Sequence, residues 1–221
     1  MTLHFTKDVE RLKKNLMQLG GLAEQALLGS VRVLQERDEE LARNIIAADD
    51  KIDEYEVEIE EECQKILALH QPVAQDLRFL IAVLKINGEL ERIGDCAVNI
   101  AERVLYLANN DPLPIKADFE GMGQLVQSML QNGLDALVNM DTELAQKVVV
   151  QDDQVDAMNR DIYLEIQEGL RTNPDRCEYL IHLLGVSRHL ERIGDHASNI
   201  AEDVIYLVRG EIVRHKSEDF T

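Results

Sequence analysis

Between residues 5 and 36 the apolar positions fall three and four apart: Leu12, Leu16, Leu19, Leu22, Ala23, Ala26, Leu27, Val31 and Leu34. That spacing draws a single stripe along a helix of 3.6 residues per turn and predicts one long amphipathic helix. The stripe returns from Asp38 to Leu69, through Leu41, Ile45, Ile46, Ile52, Tyr55, Ile59 and Ile66, and again from Leu77 to Ala108. The Pro-centred stretch HQPVAQD separates the second run from the third, and NNDPLPIKAD, with Pro112 and Pro114, closes the third as the one evident linker. Three further runs follow, at about 118–140, 141–171 and 175–209. The pattern predicts an all-α fold of six long helices arranged as two tandem three-helix bundles, residues 1–110 and 118–221, with 111–117 between them.

The halves are copies. LERIGDCAVNIAE at 90–102 and LERIGDHASNIAE at 190–202 agree at eleven of thirteen positions with an offset of 100 residues. LARNIIAADDKID at 41–53 pairs with LAQKVVVQDDQVD at 144–156 at an offset of 103, so the second copy is three residues shorter between these blocks. The shortening falls on the turn, HQPVAQDLR against TNPDR. A repeat of this length fits duplicated bundles rather than a solenoid, whose period is usually 20–50 residues.

Each copy carries acids at helical spacing. Glu91 and Asp95 stand four apart, as do Glu191 and Asp195, and the second helices repeat the device as Asp49/Asp53 and Asp152/Asp156. Residues four apart share a face, roughly 6 Å apart along the axis. Antiparallel helices joined by a short turn meet in mirror order about it. Folded at Pro72, the chain brings Asp49 opposite Asp95 and Asp53 opposite Glu91; folded between Asn173 and Pro174, it brings Asp152 opposite Asp195 and Asp156 opposite Glu191. The prolines lie where those folds are required. Four carboxylates are therefore expected to converge in each repeat, where their mutual repulsion calls for a cation. All-oxygen sites suit Mg²⁺, Ca²⁺ and Mn²⁺, and iron also accepts them. The Glu-x-x-His motif that completes carboxylate di-iron bundles is missing, which argues against an oxidase.

Ordinary ion pairs are the bland reading: Arg92 precedes Asp95 by three residues, and Arg188 precedes Glu191 by three. Asn99, Glu102, Asn199 and Glu202 extend the acidic faces, and with Arg92 and Arg192 they either back the carboxylates by hydrogen bonds or form a solvated flank. Cys96 and His196 point about 100° away from the neighbouring aspartates, which disfavours them as ligands. His182 and His189 read as packing or surface residues. Gly94 and Gly194 recur inside helices, where Gly costs up to about 1 kcal/mol against Ala, and so mark close helix packing.

Composition narrows the classes. With 42 acids against 23 Lys and Arg, the chain has a formal net charge of −19, which excludes a nucleic-acid grip and favours proteins, cations or basic surfaces as partners. No uninterrupted apolar run is long enough to span a membrane, and MTLHFTKDVERLKK is not a signal peptide. Three scattered cysteines, Cys63, Cys96 and Cys177, form no CxxC pair and suit a reducing cytoplasm. No covalent-catalysis, nucleotide or phosphate motif is present.

The duplicated LERIGDxAxNIAE blocks, their DxxxD partners and MQLGGLAEQAL at 17–27 resemble the PhoU family over residues 8–209. In that segment Leu19 stands where the family usually has Met, and the second copy has no matching GG. The resemblance implies a cytoplasmic, non-enzymatic negative regulator of the phosphate-starvation response, working with a phosphate ABC transporter's ATPase subunit and a sensor histidine kinase. It implies a homodimer lying against membrane proteins, and metal ions (iron, zinc, manganese or magnesium) held by Asp49, Asp53, Glu91, Asp95, Asp152, Asp156, Glu191 and Asp195. The competing expectations are a carboxylate-bridged metal enzyme and a metal buffer.

Overall fold

The structure is a computed structural model, and it describes residues 3–213. Six helices follow in order: α1 (Leu3–Glu36), α2 (Glu39–His70), α3 (Gln75–Ala108), α4 (Phe119–Asn139), α5 (Thr142–Thr172) and α6 (Cys177–Arg209). No strand occurs among the described residues. Each helix ends where the chain's local chemistry stops it. Asp38 caps α2 by accepting from the backbone N–H groups of Glu40 and Leu41 at 2.8 and 3.1 Å. Asp141 does the same for α5, accepting from Glu143 and Leu144 at 2.9 and 3.0 Å. These are the repeat's own equivalents, and each satisfies N–H groups that a helix start leaves without an intrahelical acceptor. Asp118 caps α4 through Gly121 N–H at 2.8 Å.

The two α-turns differ where the copies differ in length. Gln71 and Ala74 take positive φ (44° and 50°) to carry the chain from α2 into α3. The second repeat uses Asn173 and a single 3-10 turn, Pro174–Arg176, instead. Proline has no N–H to lose at a helix start, and its fixed φ suits that tight turn. The sequence places the last helix from about 175, and the 3-10 turn accounts for its first residues.

Helices α1–α3 pack into one bundle and α4–α6 into the other. The most extensive pairing joins the two, α3 against α6, and α1 also touches α4. The central helices carry the most continuous buried stripes, for example Leu80, Val83, Ile86, Leu90, Ile93, Ile100 and Val104 on α3 and Leu190, Ile193, Ile200 and Val204 on α6. The stripe read from α1 is also buried, with Leu12, Leu16, Leu19, Ala23, Leu27 and Val31 in the core. Among the described residues no helix is long and apolar enough to cross a membrane.

Candidate metal centres

The acids of each repeat lie on facing helices, near enough to influence one another's charge but not gathered into one cluster. In the first repeat Gly94 lies against α2 so closely that a Cβ there would stand 2.9 Å from Ile52 Cδ1 and 3.1 Å from Asp49 Oδ1. At Gly194 the corresponding distances are 3.1 Å to Val155 Cγ1 and 3.4 Å to Asp152 Oδ1. The recurrent glycine is thus the place where the third helix of each repeat meets the aspartate of the second.

Electrostatics registers the same approach. Burial pushes the Asp49 carboxyl up to about 6, with the charges of Asp53 and Asp95 adding to the shift. Burial pushes Asp152 up to about 7, helped by Asp195, Asp156 and Glu191. Glu91 is raised by burial and then by Asp95 and Asp53. Glu191 is raised by burial and then by Asp195 and Asp156, and Asp195 by burial and then by Asp156. Asp49, Glu91, Asp152, Glu191 and Asp195 are thus each raised in part by other acids of their own repeat, which is the like-charge effect on a carboxylate.

Among the described residues, only Asp156 of the eight acids has an ordinary ion pair within 4 Å. Arg92 pairs with Glu89 at 2.9 Å, not with Asp95. Arg188 makes no ion pair within 4 Å among the described residues, and Arg160 reaches Asp156 only at 3.8 Å. Asn99 donates to the Asp95 carbonyl at 2.7 Å, within its own helix turn, while Asn199 donates across the repeats to Glu89 Oε2 at 3.1 Å. Glu102 is exposed.

Do these residues fit a cation? The donor set is all carboxylate, and Asp49 Oδ1 is buried with no hydrogen-bond partner. Raised carboxyls next to one another are groups that a bound cation would hold ionised. Among the described residues no three His, Cys, Asp or Glu side chains stand close enough to share one ion as placed, so binding requires the exposed members, such as Asp53 and Asp95, to swing inward. With that adjustment the chemistry of the quartets fits a hard cation.

A second set of polar side chains lies between the repeats, including His182, His189 and His196, which the sequence reading assigns no ligand role. His196 Nδ1 sits 2.7 Å from Glu89 Oε2, and Lys85 Nζ donates to the buried Asp203 at 2.9 Å. Arg103 crosses α6 over Gly185, where any Cβ would meet its guanidinium. Burial, aided by Arg103 and Arg192, lowers the His189 imidazole to about 4. His182 stacks on Tyr106, ring centres 4.0 Å apart. The signal for these was present in the sequence as buried disagreements between copies: Lys85 against Gly185, Glu89 against His189, Cys96 against His196, and Arg103 against Asp203.

Residues 16–104 and 119–204 each match the PhoU domain family. The chain is similar to a phosphate-specific transport system accessory protein PhoU homolog of Pseudomonas aeruginosa, 39% identical over 96% of this chain and 88% of that one. A homolog of the same description from Aquifex aeolicus is 39% identical, covering 95% of both chains. The crystal structure of PhoU from Pseudomonas aeruginosa superposes with a TM-score of 0.91 at 38% identity, covering 94% of this chain and all of that one. The phosphate transport system regulatory protein PhoU from Streptococcus pneumoniae superposes at 0.84 with 31% identity, covering 95% of this chain and 99% of that one.

Proposed function

The chain belongs to the PhoU family, and from that premise we propose that it is an accessory protein of a phosphate-specific transport system that holds the phosphate-starvation response off when phosphate is abundant. The observation carrying the reading is end-to-end likeness: relatives named accessory or regulatory proteins of phosphate transport match nearly the whole chain, both repeats included. The finer reading is that it couples the transporter's ATPase subunit to a sensor histidine kinase in the cytoplasm, as a dimer, with no turnover of its own.

Asp49, Asp53, Glu91 and Asp95 would hold a divalent or trivalent cation in the first repeat, and Asp152, Asp156, Glu191 and Asp195 in the second. Bound, the ion supplies positive charge that offsets the repulsion in each quartet. The chain's own part is to fix the acids on two helices whose register is set by the turn, with Gly94 and Gly194 letting those helices approach. Binding then ties α2 to α3 and α5 to α6, stiffening the outer faces that a partner would meet.

Two measurements test this. In the source organism grown with ample phosphate, deleting the chain should raise alkaline phosphatase; an unchanged low level would remove the regulatory role and leave a metal-buffering one. Separately, Asp95→Ala combined with Asp195→Ala should lower the metal bound per chain by elemental analysis, and equal metal content in the double variant would refute the ligand assignment.

A further inference from the structure

Beside the second carboxylate quartet, α5 and α6 enclose a shallow groove of about 450 Å³, lined by Asn159, Arg160, Tyr163, Leu164, Leu184 and Arg188. Its placement obeys the same fold-back about residues 173 and 174: Tyr163 comes opposite Leu184 and Asn159 opposite Arg188, with Ser187 Oγ bonded to Asn159 Oδ1 at 2.6 Å as the observed tie. The apolar lining is unusually open. Leu164 is 58% exposed and Tyr163 52%, and Ile181, one turn before Leu184 on α6, is 52% exposed.

The internal repeat supplies a control. At the equivalent places in the first copy stand Val57, Glu60, Glu61 and Gly88 where the second has Arg160, Tyr163, Leu164 and Arg188. One copy thus has an acidic, solvated outer face. The other has an aromatic and a leucine between two arginines, on a chain whose net charge is −19. Open apolar side chains cost solubility, and Tyr and Arg are the residues in which binding energy concentrates at protein interfaces. Packing inside the chain does not explain the difference, since both helix pairs already bury their inner faces. Arg188 has no ion-pair partner within 4 Å among the described residues, and the only one Arg160 has, Asp156, is 3.8 Å away.

We propose that this groove of the second repeat, and not its counterpart in the first, is the docking surface for a partner protein that presents an apolar ridge flanked by Asp or Glu. The charge decides the partner. The chain's net charge of −19 repels the extended polyanion of a nucleic acid or an anionic bilayer, so a few local acids on a protein suit these two arginines better, and a second copy seated face to face by two-fold symmetry would set arginines against arginines. The partner's acids meet Arg160 and Arg188, and its apolar ridge covers Tyr163, Leu164 and Leu184. This inference rests on the regulatory reading above, which supplies the partner's location among the membrane proteins of the phosphate response.

The test is co-sedimentation of the purified full chain with membrane vesicles from cells that overproduce the phosphate transporter and sensor kinase, against vesicles from cells lacking both. The wild-type chain is expected to pellet with the first set only. Leu164→Glu and Arg188→Glu are each expected to weaken that binding by about tenfold or more, with helicity and melting temperature retained, as loss of a central anchor does. Glu60→Ala, at the first repeat's equivalent of Tyr163, is expected to bind as wild type. Wild-type binding by both groove variants would overturn the surface while leaving the regulatory reading intact. A wild-type chain that ignores both vesicle sets would overturn the reading and the surface together. Equal binding to both sets would overturn the proposal in favour of a lipid contact, and a halved sedimenting mass in Leu164→Glu would overturn it in favour of a second copy.

Discussion

At the scale of single residues, the two recurrent glycines do the same job under unequal pressure. Alanine at Gly94 would crowd Ile52 Cδ1 at 2.9 Å and Asp49 Oδ1 at 3.1 Å, while at Gly194 the nearest atom is Val155 Cγ1 at 3.1 Å. Ala gains up to about 1 kcal/mol in helix propensity over Gly, and overpacking costs about 1–3 kcal/mol. Gly94→Ala should therefore lose about 1 kcal/mol in chemical denaturation and Gly194→Ala should be close to neutral; equal losses would contradict this account of the spacing. The acids beside those glycines give a pH signature. Asp49 and Asp152 titrate at about 6 and about 7 when folded, above the ordinary carboxylate value of about 3.9. Between those values the folded chain keeps protons that the unfolded chain has released, so these groups lower stability as pH rises through the window from about 4 to about 7. In metal-free buffer, Asp49→Asn with Asp152→Asn should raise the melting temperature more at pH 8 than at pH 5, where the wild-type carboxyls are already neutral. A gain independent of pH would mean that the charges do not repel as placed. Which acids face each other across the turn was legible in the sequence, because helical spacing and a proline-marked turn together fix the pairing. The side-chain rotamers were not, and Asp53 and Asp95 stand exposed where convergence alone would have drawn them inward.

At the scale of the element, helix starts follow from local chemistry that the repeat copies faithfully. Asp38 and Asp141 each accept from two backbone N–H groups at 2.8–3.1 Å. Asp38→Ala and Asp141→Ala should each cost about 1 kcal/mol, measured by urea denaturation, and an Asn at either place should recover most of it. The turns were less legible. Both contain proline, yet one copy closes with left-handed Gln71 and Ala74 and the other with a 3-10 turn. Ala74 holds φ 50° and ψ −114°, a conformation costly for a residue with a Cβ. Ala74→Gly should accordingly stabilise the protein by about 0.5–1 kcal/mol, and a loss of stability would show that the turn's conformation is not strained as described. A periodicity of apolar residues cannot announce such turns, because it reports which face is buried and nothing about the backbone between faces.

At the scale of the whole molecule, the question is whether two sequence-related bundles behave as two domains. A Pro-rich stretch at 111–117 separates the repeats in the sequence, but the contact that joins the bundles was not legible, because α3 and α6 read only as the third helices of separate repeats. The structure packs these two against each other more extensively than any other pair. The polar groups set into that interface are the ones at which the copies disagree. Asp203 is 2% exposed and bonds Lys85 from the other repeat at 2.9 Å. Glu89 is tied to His196 and Asn199 in the same way. Removing one partner of a buried carboxylate is unfavourable, so Lys85→Met should cost about 1–2 kcal/mol, below the 3–5 of breaking a fully buried pair because the ammonium is a third exposed. If the repeats fold as one unit, that change in the first repeat must destabilise the second equally. Calorimetry should then show a single transition that moves down intact in Lys85→Met, with calorimetric and van't Hoff enthalpies in agreement. Cleavage at a protease site placed within 111–117 should leave the two halves co-eluting. Two resolved transitions, only one of them displaced by the substitution, would make the halves independent domains and the inter-repeat ion pairs incidental to the fold.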